Sequence, residues 1–152
     1  MKSGPHIRSA RPADIPAVMA IEKHAVTASH WSKEQYEGLF SGAVPTRVAL
    51  VIEEDCIVYG FVVARAVGKE WEIENIAIVD PARRRGLGSR LLGEFLNLAR
   101  ERGAEAVLLE VRESNGGARV LYKKWAFVEA GRRKDYYREP EEDAVVYRLT
   151  FT

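Results

Sequence analysis

The sequence predicts an α/β chain of the α+β kind, with a central mixed, mostly antiparallel sheet flanked by helices. Three observations carry this expectation. Three β-rich runs, residues 47–53, 57–67 and 71–79, follow one another across the short breaks Glu54-Asp55 and Gly68-Lys69, which favour antiparallel hairpins. A long helical pattern from Leu87 then leads into the almost wholly apolar run 106–111, the mark of a strand covered on both faces. A strand–helix–strand crossover of this kind makes the strands at 71–79 and 106–111 parallel neighbours.

The elements follow in order. Residues 6–10 form a short first strand, and Arg11-Pro12-Ala13-Asp14 reads as a helix start, with Ile15, Val18, Met19, Ile21 and Ala25 near helical spacing. Ser32-Lys33-Glu34-Gln35 has capping-box form and opens a second helix, which the segment 41–45 ends. Asp80-Pro81 stops the third β-run. Leu87, Leu91, Leu92, Phe95, Leu98 and Ala99 trace one face of the long helix. Ser114-Asn115-Gly116-Gly117 opens a short helix through Lys124, and closing strands near 127–130 and 144–151 flank a polar loop at 131–142. The order is β-α-α-β-β-β-α-β-α-β-β.

A chain of 152 residues with no repeat, linker or low-complexity tract is expected to form one domain, 1–152. Its 47% apolar and 30% charged residues are ordinary for a globular protein, and a net charge of +1 supplies no global field toward nucleic acid or an anionic membrane. The one cysteine, Cys56, excludes an internal disulfide framework and is expected as an inert core or edge residue. His6, His24 and His30 have no spacing relation that suggests a metal site. No apolar stretch approaches the ~18 residues of a membrane span, and residues 1–10 lack a signal-peptide core. A metal-free cytoplasmic protein is the expectation, with no membrane or direct nucleic-acid partner.

The most informative segment is Arg83-Arg84-Arg85-Gly86-Leu87-Gly88-Ser89, between the third β-run and the long helix. Glycines at 86 and 88 let backbone approach a ligand closely. The first turn of the following helix brings unpaired N–H groups and the positive end of its dipole. With the arginines, these parts suit a pyrophosphate. No Lys-Ser/Thr follows the second glycine and no third glycine stands in dinucleotide-fold register, so neither common phosphate loop is present.

Asn75-Ile76-Ala77-Ile78-Val79-Asp80-Pro81, Arg83-x-x-Gly86-x-Gly88, Leu109-Glu110-Val111-Arg112-x-Ser114-Asn115 and Leu121-Tyr122-x-x-x-x-Phe127 together resemble the GNAT superfamily of acetyltransferases along nearly the whole chain. His30-Trp31-Ser32 and Arg132-Arg133-Lys134-Asp135-Tyr136-Tyr137 make it most similar to the bacterial RimI-type enzymes, which acetylate the N-terminal alanine of a ribosomal protein. The resemblance implies a GNAT fold whose two parallel strands splay apart, and acetyl-coenzyme A as co-substrate. Ile76, Ala77 and Ile78 would meet its pantetheine arm. Backbone amides of Arg84, Arg85, Gly86, Leu87, Gly88 and Ser89 would hold its pyrophosphate, with Asn115 as a further contact. An oxyanion would be held by a backbone N–H near Ile78.

Acetyl transfer to an amine needs a proton acceptor for the ammonium and a proton donor for the departing thiolate. Glu110, at the end of the buried strand, matches the family's base, and poor solvation at an apolar strand end favours proton uptake. Glu72 and Glu74 are rivals, because strict strand alternation puts them on the same side as Ile76 and Ile78. Tyr122 matches the acid. Trp31, Tyr136 and Tyr137 are expected at the mouth, where aromatic walls position a peptide N-terminus. Two departures stand out: Gly116-Gly117 replaces small helix formers, and Trp125-Ala126 stands where the family commonly has Leu-Gly. The indole is expected to reshape the acceptor pocket. A small amine, a lysine side chain or aminoacyl-tRNA remain alternative acceptors, and a non-catalytic acetyl-coenzyme A-binding role is a further alternative.

Overall fold

Seven strands make one sheet in the computed structural model, which describes residues 4–24, 31–42, 47–79, 86–138 and 141–152. The strands among the described residues are β1 His6–Ser9, β2 Arg47–Glu54, β3 Ile57–Val67, β4 Glu70–Ile78, β5 Ala106–Arg112, β6 Val128–Tyr137 and β7 Glu142–Thr150. The helices are α1 Ile15–His24, α2 Lys33–Gly38, α3 Leu87–Glu101 and α4 Gly116–Lys124, with a 3-10 turn over Pro12–Asp14 leading into α1. The capping box at Ser32 and Gln35 forms as expected.

The order across the sheet is β1-β2-β3-β4-β5-β7-β6, and β4–β5 is its parallel pair. One face packs on α3 and α4, where Leu91, Leu92, Phe95 and Tyr122 meet Ile52, Val62, Val107 and Tyr147. The other face carries α1 and α2, through Val18, Ile21 and Tyr36 against Val51, Phe61 and Val63. Alternation along β2 feeds both layers, Leu50 and Ile52 to one core and Val51 to the other.

Two expectations about elements are corrected. The polar segment 131–142 is chiefly strand, since β6 runs through Tyr137 and β7 begins at Glu142. β6 is the sheet's outer edge and every residue but its last is exposed. With no face to bury it has no apolar alternation, and β7 supplies its backbone partners. Cys56 lies in the β2–β3 turn, exposed and at φ 66, instead of inside a strand.

The β3–β4 register moves from Val63↔Asn75 to Ala64↔Ile73 and leaves Glu74 as an extra residue. Such a bulge breaks the two-residue alternation. Trp71, Ile73, Ile76 and Ile78 therefore share the α3 side, whereas Ala77 packs with the α1–α2 layer.

Candidate active site

The parallel pairing of β4 with β5 covers Glu70↔Ala106 to Ile73↔Leu109 and no more, although β4 continues to Ile78 and β5 to Arg112. Beyond that point the strands part, and a cavity of about 430 Å³ opens between residues 73–78 of β4, residues 109–111 of β5, the start of α3 and one face of α4. Buried backbone needs partners, so a gap between two strands is suited to a ligand that carries amide groups along its length.

At one end, Gly86 N-caps α3 with φ 73. That left-handed conformation is costly for any residue with a Cβ. Gly88 lies in the first turn of α3, where a Cβ would stand 3.2 Å from Ile78 Cγ1, so its lack of a side chain lets the helix start press on β4. Gly86, Gly88 and Ser89 line the cavity. The Leu87 side chain is buried in the core, which leaves only its backbone for a ligand. The amides of Leu87, Gly88 and Ser89 have no partner within their own helix. Arg84 and Arg85 lie outside the described residues, as do Asp80 and Pro81. Asn115 lines the cavity and caps α4, its Oδ1 accepting from the Ala118 N–H at 3.1 Å.

Glu110 and Tyr122 both line the same cavity. Glu110 forms an ion pair with Arg133 Nε at 2.7 Å, across to the edge strand β6. Tyr122 packs between Phe127 and Tyr147, with ring centroids at 5.7 and 6.0 Å. Burial, with Tyr137 nearby, raises the Tyr122 phenol well above the usual tyrosine range. Burial and the Glu110 carboxylate likewise push Tyr137 up to about 12. Tyr137 lines the cavity, its ring 4.4 Å from the Arg112 guanidinium carbon. Tyr136 stands half exposed at the rim, edge-on to Tyr137 at 5.1 Å.

The rival carboxylates differ. The bulge at Glu74 turns Glu72 to the face opposite Ile76 and Ile78, beside Arg65 at 3.6 Å, so strict alternation misplaced it. Glu74 does reach the cavity wall, gripped by Arg47 through Nε at 2.8 Å and Nη2 at 3.0 Å. Arg47 also stacks on Trp31, 5.5 Å from its ring. Trp31 thus belongs to an outer cluster with Arg47 and Glu74 and is not on the cavity wall.

Sequence reading assigned no role to Asn75 or Lys124, and both line the cavity. Asn75 is buried and donates to the Tyr36 hydroxyl at 3.0 Å. Tyr36 in turn donates to the buried Glu22 carboxylate, which also accepts the Trp31 backbone N–H. This chain ties the segment at Trp31 to β4. Its trace in the sequence is a glutamate on the apolar side of one helix and an asparagine within an apolar strand. The expectation for Trp125 is corrected: its indole lies against Gly93 and Ser89 of α3 and does not line the cavity. Among the described residues, no three His, Cys, Asp or Glu side chains come together as a metal site, and no helix is long and apolar enough to cross a membrane.

The chain is similar to known proteins over almost its full length. It is 36% identical over 151 residues to a Bacillus subtilis protein, covering 99% of this chain and 98% of that one. It is 33% identical over 138 residues to the ribosomal protein bS18-alanine N-acetyltransferase of Salmonella typhimurium, covering 90% of each. The crystal structure of the ribosomal-protein-S18-alanine N-acetyltransferase of Escherichia coli superposes with a TM-score of 0.86 at 28% identity, covering 98% of this chain and 95% of that one. The model of the acetyltransferase (GNAT) family matches residues 16–127. The chain, an acetyl-transferring enzyme whose helix start and parted strand pair surround one cavity, belongs to the GNAT family.

Proposed function

We propose that this enzyme moves the acetyl group of acetyl-coenzyme A to the N-terminal α-amine of a protein, a ribosomal protein beginning with alanine or serine. It does so as one catalytic domain in the cytoplasm. The observation that carries the reading is the cavity where β4 and β5 part, because Glu110 and Tyr122 line it together with Gly86, Gly88 and Ser89. The ribosomal protein bS18-alanine N-acetyltransferase activity of the Salmonella and Escherichia coli relatives supports the acceptor. At about 430 Å³ the cavity is of the size of small-molecule sites generally, roughly 300–1,000 Å³.

When bound, acetyl-coenzyme A supplies an acetyl thioester. The amides of Leu87, Gly88 and Ser89 bind its pyrophosphate at the positive end of α3, with Asn115 as a further contact. Residues Ile76, Ala77 and Ile78 flank the pantetheine arm. Glu110 takes the proton of the incoming ammonium, directly or through water. Its rivals are less well disposed: Glu74 is held by a two-pronged arginine and Glu72 faces the other side of the sheet. Tyr122 returns a proton to the departing thiolate. Its raised pKa keeps the phenol protonated across the physiological range, as a donor requires. Tyr136, Tyr137 and the outer Trp31 bound the approach of the peptide. An α-amine with a pKa of about 7.7–8.0 asks little of a base, whereas lysine at about 10.4 asks more.

Thiol release from acetyl-coenzyme A tests the reading, with a short peptide carrying a free N-terminal alanine beside the same peptide N-terminally blocked and carrying an internal lysine. Turnover on the free N-terminus alone is expected. Turnover on the blocked peptide, or on neither, would send the acceptor assignment elsewhere.

A further inference from the structure

The two helices that line the cavity are tied together by one side chain that does not itself line it. Trp125 caps α4 at its C-terminal end, its backbone N–H bonded to the carbonyls of Leu121 and Tyr122. From there the indole reaches across to α3. A Cβ at Gly93 would stand 2.8 Å from Cη2 of the ring, so the bare glycine backbone forms the seat in which the indole lies. Glycine inside a helix is unfavourable relative to alanine; here its missing side chain makes room for the ring.

In that seat the indole Nε1 lies 2.8 Å from Ser89 Oγ. An indole nitrogen donates only, so the serine oxygen accepts and its own proton goes to another partner. Accepting one hydrogen bond also polarises a hydroxyl and strengthens it as a donor. Ser89 is the third residue of α3, on the cavity wall with Gly86 and Gly88. A donor at that point, beside the open amides of a helix start, faces the region suited to a phosphate.

We propose that Trp125 is a positioning residue for the phosphate end of coenzyme A: its indole N–H directs the Ser89 hydroxyl toward a phosphate oxygen, and its ring sets the spacing between the start of α3 and α4. The proposal rests on the acetyl-coenzyme A reading above. It differs from a packing role because it concerns only the phosphate half of the ligand.

The test compares coenzyme A, titrated by calorimetry, with S-acetylpantetheine, an acetyl donor that lacks the pyrophosphate. Replacing Trp125 with 3-benzothienylalanine keeps the bicyclic ring on Gly93 and removes the N–H. It is expected to weaken coenzyme A binding about threefold to tenfold, the worth of one hydrogen bond, with the KM for S-acetylpantetheine and the kcat at saturating acetyl-coenzyme A held. Ser89→Ala is expected to weaken coenzyme A binding by a similar factor. The double variant should be no weaker than Ser89→Ala alone, because both remove one interaction. Unchanged coenzyme A affinity in either variant overturns the proposal alone, as do equal losses on both ligands or additive losses in the double variant. Failure of the wild-type protein to bind coenzyme A overturns the cofactor reading and the proposal with it.

Discussion

Tyr122 shows how surroundings make an ordinary side chain into a specialised one. A phenol enclosed by Phe127 and Tyr147 has its charged form penalised, which keeps its proton in place at the cavity wall. Tyr122→Phe preserves the packing and removes the proton; turnover is expected to fall more than tenfold, with the affinity for acetyl-coenzyme A little changed. Wild-type rates in that variant would take Tyr122 out of the mechanism. Glu110→Gln is expected to lose rate most at low pH, where the acceptor amine is still charged, in a rate profile measured between about pH 6 and 9. A uniform loss would point to positioning instead. That both residues stand at one cavity was legible in the sequence because each sits in a short motif. Asn75 was in such a motif too, yet its role was not legible, since its partners Tyr36 and Glu22 lie 39 residues and more away along the chain.

Among the elements, the turn after α4 carries a strain that the sequence hinted at. Ala126 stands at φ 69, in the left-handed region that favours glycine. The left-handed conformation costs a residue with a Cβ about 1–2 kcal/mol, and the larger unfolded-state freedom of glycine offsets part of that on substitution. Ala126→Gly is therefore expected to stabilise the protein by about 0.5–1 kcal/mol, a rise of roughly 2 °C in Tm by thermal unfolding. A lower Tm would contradict the strain assigned to this turn. The helix starts at Ser32 and Asn115 were readable because capping chemistry spans three or four residues. β6 was not, because an exposed edge strand has no apolar face, and what makes Gly131, Arg132 and Arg133 extended is their register with Val146, Val145 and Ala144 of β7.

For the whole molecule, the buried tyrosines couple unfolding to proton release. Burial and the Glu22 carboxylate raise Tyr36, and burial raises Tyr122. An unfolded tyrosine ionises near pH ~10. Above that pH the unfolded chain holds fewer protons than the folded one, so the stability contributed by the neutral phenols is fully present below about pH 10 and declines as pH rises further. Denaturant midpoints at about pH 9, 10 and 11 are expected to fall, and Tyr122→Phe is expected to flatten that fall. Equal slopes in the two proteins would show that Tyr122 titrates alike folded and unfolded.

By itself the sequence determined the order of the elements, the antiparallel run β2–β3–β4, the parallel pairing of β4 with β5, the glycine turn into α3 and the family. Each of these rests on periodicity, turn chemistry or a motif held within a few neighbouring residues. Only the tertiary structure decided which carboxylates face the cavity, because the bulge at Glu74 reverses the alternation of β4. It likewise decided that Trp125 lies on Gly93 and Ser89, and that β4 and β5 part after Ile73 and Leu109. These depend on contacts between groups distant in the chain, whose geometry is set by packing that no local pattern encodes.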